Sequence, residues 1–392
     1  MKIIYIANSR IPTTKAHGFQ IIKMCETFSN LGVKVDLLIP RRFNQIKDSP
    51  FEYYGIREIF NIQKVPVIDL MPFVKILGPI ANLVGSLTFA IFVLYHLYRS
   101  GSENQQVSAS TIIYSRDQFT LWFLSFFNKK FVYEVHSFPR RAALYRRIWK
   151  KAHKIIVITS ALKNLVVKAG TSEEKIMIAP DAVDTADFEA IPQTVDELKI
   201  ELGLPKDEFL VGYVGRFKTL GMEKGIKTMI EALPMLSKDI KMAFIGGEEL
   251  EIKEYKNLAN RFNVSAQCVF IGYQPRLRAI KYIKAMDTLV IPFPNVPHYA
   301  FYASPLKLFE YMASGRPIIA SDLPALREVL NDKSSLFFKP EIADDLARAI
   351  KMLKASQMLG YHLSQQALAD VKEYTWDKRA QRIFYFINSR KC

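Results

Sequence analysis

Residues 301–330 read FYASPLKLFEYMASGRPIIASDLPALREVL, and the fold turns on how they are read. Ser304 is a good N-cap and Pro305 suits a first helical position, so a helix starting here leaves the N–H groups of Leu306, Lys307 and Leu308 without intrahelical partners. Free amides and the positive end of the helix dipole favour a phosphate or a polarised hydroxyl. Leu306, Phe309 and Met312 recur at helical spacing and form a core face. Glu310 sits about a turn and a half into the helix, where its carboxylate can accept two vicinal hydroxyls of a ribose or sugar. Gly315 and Pro317 stop the helix, and Pro317–Ala320 is a buried strand. An anion-facing helix with one inward carboxylate, leading into a parallel strand, is a nucleotide-binding half of an α/β sheet.

Upstream, Phe209–Val214, Met242–Gly246, Cys268–Gly272 and Thr288–Pro292 are further strands of that sheet. The first ends in Gly215-Arg216-Phe217, and Lys224 closes the loop before a helix from Ile226 to Leu233. Arg supplies a planar fork and Lys a point charge, so two cations at one strand end suit a departing diphosphate. The N-terminal half opens β-α-β: a strand Ile3–Ala7, a helix Gly18–Leu31 and a strand Val33–Ile39. Its first loop lacks G-x-G-x-x-G, which argues against a nicotinamide dehydrogenase. Gly18 at the helix start, lacking Cβ, allows close backbone approach to a diphosphate. Strands follow at Asn61–Ile68, Thr111–Ser115, Phe131–His136, Ile155–Ile158 and Ile176–Ala179; His136 sits at a carboxyl strand end, where open α/β sheets bind ligands. The linker is expected at Phe188–Glu197, between domains 1–195 and 198–375.

Two segments bear on membranes. Ile76–Tyr98 contains no Asp, Glu, Lys or Arg and is long enough to span a bilayer. Spanning would put strands of one parallel sheet on opposite sides, so a buried crossover helix or an interfacial one is expected. Arg140–Lys154 carries seven cations and no acid, with Leu144, Tyr145, Ile148 and Trp149 on adjacent helical rows. Such a helix is either a solvated face or an anionic-membrane face. The chain has 54 Lys and Arg against 38 Asp and Glu, a net +16, which points to the second.

Cys25, Cys268 and Cys392 are widely spaced and odd in number, as in a reducing compartment, and no zinc spacing occurs. The N-terminus lacks the apolar run of a signal peptide. A cytoplasmic location, peripheral on the inner face of the cell membrane, is expected.

SPLKLFEYMASGRPIIASD resembles the signature helix of family 4 retaining glycosyltransferases, which have the GT-B fold: two Rossmann-like domains facing each other across a cleft. VYEVHSFPR, KAHGFQIIKMCETFSNLG, the GYVGRF and EKGI phrases and Pro180-Asp181-Ala182-Val183-Asp184 are similar to other segments of that family. The resemblance implies an N-terminal acceptor-binding domain, a C-terminal nucleotide-sugar-binding domain, and a last helix, 376–392, that packs back on the first. It gives His136 a donor-sugar contact, Arg216 and Lys224 the diphosphate, and Gly18, Ser304, Pro305, Leu306, Lys307 and Glu310 parts of the donor site. The family's first glutamate, eight positions before Glu310, is Tyr302 here.

The expected function is transfer, with retention, of a sugar from a nucleoside-diphosphate donor to a lipid-linked or saccharide acceptor in envelope polysaccharide or glycolipid synthesis. No D-x-D phrase stands in a metal-binding setting, so neither metal nor cofactor is expected, and leaving-group charge falls to Arg216, Lys224 and helix amides. No convincing nucleophile is visible, which favours same-face attack. The rivals are a GT-B nucleotide-sugar epimerase, disfavoured by the acid-poor donor region, and a non-catalytic membrane-associated GT-B binding protein, favoured by Tyr302. No groove-reading module points to nucleic acid.

Overall fold

The computed structural model of the chain describes residues 1–70, 73–103, 111–139, 142–219 and 221–389. Short, near-continuous runs of Ile, Val, Leu and Tyr cannot expose either face to water, so they become strands of parallel sheets covered on both sides. The chain divides into two compact units, Met1–Pro180 with Trp376–Cys392, and Asp181–Thr375.

In the first unit β1 (Lys2–Ile6), β2 (Lys34–Pro40), β3 (Asn61–Val65), β4 (Thr111–Ser115), β5 (Phe131–Val135), β6 (Lys154–Val157) and β7 (Ile176–Ile178) form one sheet, ordered β3-β2-β1-β4-β5-β6-β7. Its pairings are all parallel. The second unit holds β8 (Phe209–Val214), a small antiparallel ribbon of β9 (Lys218–Thr219) and β10 (Met222–Glu223), then β11 (Ile240–Gly247), β12 (Cys268–Gly272), β13 (Thr288–Ile291), β14 (Ile318–Ser321) and β15 (Leu336–Phe338). Its sheet runs β12-β11-β8-β13-β14-β15, also parallel. Each sheet reverses strand order once, between β1 and β4 and between β8 and β13, and such switch points are where doubly wound sheets bind ligands.

The unit boundary lies at Pro180/Asp181 rather than in 188–197. Val183, Phe188, Ile191, Leu198, Leu202 and Leu204 are all buried in the second unit's core, so the expected linker is the end of one short helix, Thr185–Glu189, the turn after it and the start of another, Val195–Glu201, packed on that unit. The last helix, Trp376–Asn388, packs on the first, Ala16–Asn30, through buried Trp376, Ala380, Ile383 and Ile387.

The apolar segment forms one continuous helix, Pro79–Glu103, preceded by a short turn of helix at Val74–Leu77 and a left-handed Gly78 (φ 53°). Gly85 lies buried inside it without interrupting it. The helix crosses from β3 to β4 within one parallel sheet, as the topology required. Ala81, Phe89, Ala90, Val93 and Leu97 are buried, whereas Ile80, Leu83, Ile91, Tyr95 and Tyr98 are exposed. By length and composition residues Pro79–Arg99 could cross a membrane.

The basic helix is shorter than expected, Ala142–Lys151; Arg140 and Arg141 lie outside the described residues. Lys154 is not on it but opens β6, buried, with its amine 4.3 Å from the Phe386 ring centroid. Ile148 and Trp149 are buried too, Trp149 stacked on Phe138 at 5.2 Å. Ile148 and Trp149 therefore serve the unit's own core, whereas Leu144 is exposed and Arg146, Arg147, Lys150 and Lys151 face outward.

Candidate functional site

The helix anticipated from the opening stretch is Leu306–Ala313, stopped by Gly315 in the left-handed region (φ 70°). Its cap differs from expectation. Pro305, extended at φ −79° and ψ 135°, is the N-cap, because Ser304 Oγ is turned away to accept from Asp181 N at 2.9 Å. Leu308 N–H donates to Pro305 O at 3.0 Å, which leaves Leu306 and Lys307 as the first-turn amides. Tyr311, buried in the same helix, accepts from Val214 N at 2.8 Å and donates to Val214 O at 3.2 Å, pinning the helix to the carboxyl end of β8.

That strand end is built from bare backbone. Gly215 and Gly246 both have positive φ (132° and 106°), and a Cβ on Gly246 would stand 2.9 Å from Gly215 O. Gly225, at φ 88°, leaves a Cβ no room against the Pro292 carbonyl. The loop between Gly215 and Gly225 is thereby drawn over the carboxyl edge of the sheet, and it delivers the two expected cations. Arg216 is part-exposed, 3.8 Å from the solvent-facing Glu248. Lys224 has its amine lowered to about 8, first by burial and then by repulsion from Arg216. Lys307 is lowered well below the ordinary amine range by burial and by Lys224, with Glu310 opposing, and His298 is lowered by burial and Lys224. These groups share one electrostatic neighbourhood of positive sign.

Glu310 is in place but not idle. Arg276 donates to its Oε1 at 2.6 Å and to Asp187 Oδ2 at 3.0 Å. Burial opposes the Arg276 charge, while Glu310 and Asp187 raise its value above the usual one. Among the described residues Glu310 Oε2 makes no hydrogen bond. Arg276 was missed in the sequence because nothing local marks a surface-type helix residue as the partner of an acid 34 positions away. Tyr302, in the first-glutamate position, ends the short helix Pro297–Phe301.

In the first unit, His136 follows β5 and its Nε2 lies 2.7 Å from Glu134 Oε1. Glu134 also accepts from Gln20 Nε2 at 2.7 Å, Tyr114 Oη at 2.5 Å and Arg379 Nη2 at 2.8 Å. Burial alone would push Glu134 up, but Arg379, His136 and Arg116 hold it well below the usual carboxylate range. Gln20 Oε1 accepts in turn from Arg116 Nη1. The signal for this network was an acid two residues before His136 in an otherwise apolar strand. Gly18 has a local reason of its own: a Cβ there would collide with Tyr54 Oη and Thr13 Cγ2, and Tyr54 Oη bonds both Thr13 N and Thr13 O at 2.9 Å. The side on which Gly18 lacks a Cβ is taken up by Tyr54 and Thr13.

Two doubly wound parallel units with these strand orders define the class, GT-B. The structure superimposes on that of Anabaena HepE crystallised with UDP-glucose over 100% of both chains, with a TM-score of 0.71 at 17% identity. Residues 194–370, most of the second unit, match the family described as "Glycosyl transferases group 1", in line with the resemblance. The 2-deoxystreptamine glucosyltransferase of Streptomyces kanamyceticus is 26% identical over 219 residues, 54% of each chain. The phosphatidyl-myo-inositol mannosyltransferase of Mycolicibacterium smegmatis is 26% identical over 202 residues, 50% of this chain and 47% of that one. The chain spans about half the length of the curated relatives it matches.

Proposed function

We propose that the protein is a retaining glycosyltransferase that moves a sugar from a nucleoside-diphosphate donor to a lipid-linked or glycan acceptor at the inner face of an anionic membrane. The observation that carries this is the group of cations at the carboxyl end of β8, beside the N-terminus of Leu306–Ala313, with Glu310 further along the same helix. As the donor's anomeric C–O bond breaks, its electron pair passes to the diphosphate. Arg216, protonated Lys224 and the first-turn amides offset that charge without requiring a metal. The acceptor oxygen attacks on the face the diphosphate leaves and gives its proton to it. Glu134 bonded to His136 Nε2 sets the ring's orientation, and His136 serves as a donor-sugar contact.

The names of the relatives and the UDP-glucose bound by HepE support donor and reaction class. For the membrane, helices Pro79–Glu103 and Ala142–Lys151 both pack on Gln118–Leu124, so the exposed apolar row and the exposed cations belong to one side of the first unit. Phe126 and Phe127 are exposed there too, and Arg147 lies 4.2 Å from the Phe126 centroid. Apolar surface fringed by Lys and Arg is what an anionic lipid interface rewards.

Tyr302 favours a second reading, a binding protein without transfer activity. Uridine, guanosine and adenosine diphosphates and their sugars, screened by thermal shift, identify the ligand through the rise in melting temperature. Release of free diphosphate only when acceptor is added is the expected result for a transferase. A nucleotide-sugar that binds but is never turned over would leave the binding protein.

A further inference from the structure

We propose that Lys307 Nζ is a third cation for the donor diphosphate, waiting without a partner over the Tyr213 ring and engaged when the anion reaches the start of Leu306–Ala313. The inference rests on the donor site proposed for the second unit and adds a residue whose amine neither composition nor motif assigned.

The amine is in an unusual setting. Lys307 is only 8% exposed, and among the described residues its Nζ has no hydrogen-bond partner. It stands 3.4 Å from the centroid of Tyr213, a ring fixed by its own hydroxyl, which donates to Arg216 O at 2.7 Å. A Cβ on Gly215 would come within 3.0 Å of Nζ, so the glycine keeps open the space around the amine at the strand end. The nearest acid, Glu310, is bonded to Arg276. A buried donor without an acceptor destabilises a fold unless something else completes it. Three basic side chains, Arg216, Lys224 and Lys307, share one neighbourhood, Arg216 repelling Lys224 and Lys224 repelling Lys307; the acids beside them are the solvent-facing Glu248, 3.8 Å from Arg216, Glu251 near Lys224, and Glu310, already bonded to Arg276. A diphosphate is the group that would satisfy them all.

The charged groups facing Lys307 are Lys224 from the loop and Glu310 from its own helix, with the titratable Tyr213 beneath it, held as the phenol by burial. Burial and Lys224 favour the neutral amine in the empty protein. An arriving diphosphate reverses that balance: a proton from solvent adds to the Nζ lone pair, and it returns to solvent when the diphosphate leaves.

The test is calorimetric titration of the full chain with UDP and with inorganic pyrophosphate at pH 7, in buffers of differing ionisation enthalpy. At that pH Lys224, at about 8, is already charged. Wild type should take up more protons per ligand than Lys307→Met, and the variant should bind UDP about tenfold or more weakly. The same substitution should raise the melting temperature of the empty protein, because it removes a buried unpaired polar group. Uptake measured on wild type alone still decides the matter if Lys307→Met does not fold. UDP binding without proton uptake, or a variant that binds UDP like wild type, overturns the role of Lys307 and leaves the donor site standing. If neither ligand binds wild type, the donor site falls and Lys307 with it.

Discussion

Arg379 Nη2 stands 2.8 Å from Glu134 Oε1, a pair 245 positions apart in sequence and wholly buried, which ties the last helix to the strand that carries His136. Arg379 also donates to Pro180 O at 2.7 Å and Ala179 O at 3.1 Å, so the guanidinium closes the first unit where the chain leaves it.

Removing one partner of such a pair strands a buried charge. Arg379→Met should cost about 3–5 kcal/mol in urea denaturation, and Arg379→Met with Glu134→Gln should recover part of it. Glu134 is held below its ordinary value when folded, so its contribution is present above the unfolded carboxylate range and is lost as pH falls through the lowered value. A single variant as stable as wild type would show that the pair is not holding the helix.

Arg216→Ala and Lys224→Ala should each lower transfer on the order of 100-fold or more with the fold intact, since each deletes a cation aimed at the leaving group. Initial rates beside circular dichroism check this. Wild-type turnover in either variant would remove these residues from the mechanism.

Lys224 predicts a pH dependence of known sign. Its amine loses a proton near 8 in the empty protein, while bound diphosphate favours the charged form. In the Lys307→Met variant, where the proton uptake at that amine is removed, UDP affinity set by Lys224 should be level below about pH 8 and should fall above it, by up to tenfold per pH unit. Lys224→Met should flatten that decline. Affinity rising with pH in wild type would contradict the assignment.

Flotation with anionic liposomes examines the membrane face. Arg146, Arg147, Lys150 and Lys151 are exposed on one helix, and each is worth about 1 kcal/mol near an anionic leaflet. Wild type should float; replacing all four with Gln should strongly reduce flotation, as should high salt, except for a fraction held by the apolar row of Pro79–Glu103. Unchanged flotation in the fourfold variant would leave the cations as a solvated face.

Local sequence determined the elements. Phe209–Val214, Cys268–Gly272 and Thr111–Ser115 end where apolar runs meet turn residues, and so were legible to the residue. The topology of the apolar segment was also legible, because a strand on each side of it must join one sheet. Arg216, Lys224 and Glu310 could be singled out because strand ends and helix starts, where α/β sheets place their chemistry, are sequence-local features. What occupies the space around those residues was decided only by tertiary structure. Ser304 reads as a cap until Asp181, 123 positions away, takes its hydroxyl. Gly18 reads as an anion cradle, and its missing Cβ also has a local reason, the close approach of Tyr54. Ile148 and Trp149 read as a membrane stripe until the sheet beneath them buries both. Lys307 and Arg379 read as ordinary basic residues on amphipathic helices, and their distinction is burial, one with no hydrogen-bond partner among the described residues and one with several. Spacing fixes which way a side chain points along its own helix or strand, but its partners and its access to water come from segments distant in sequence, and these set the charge it carries.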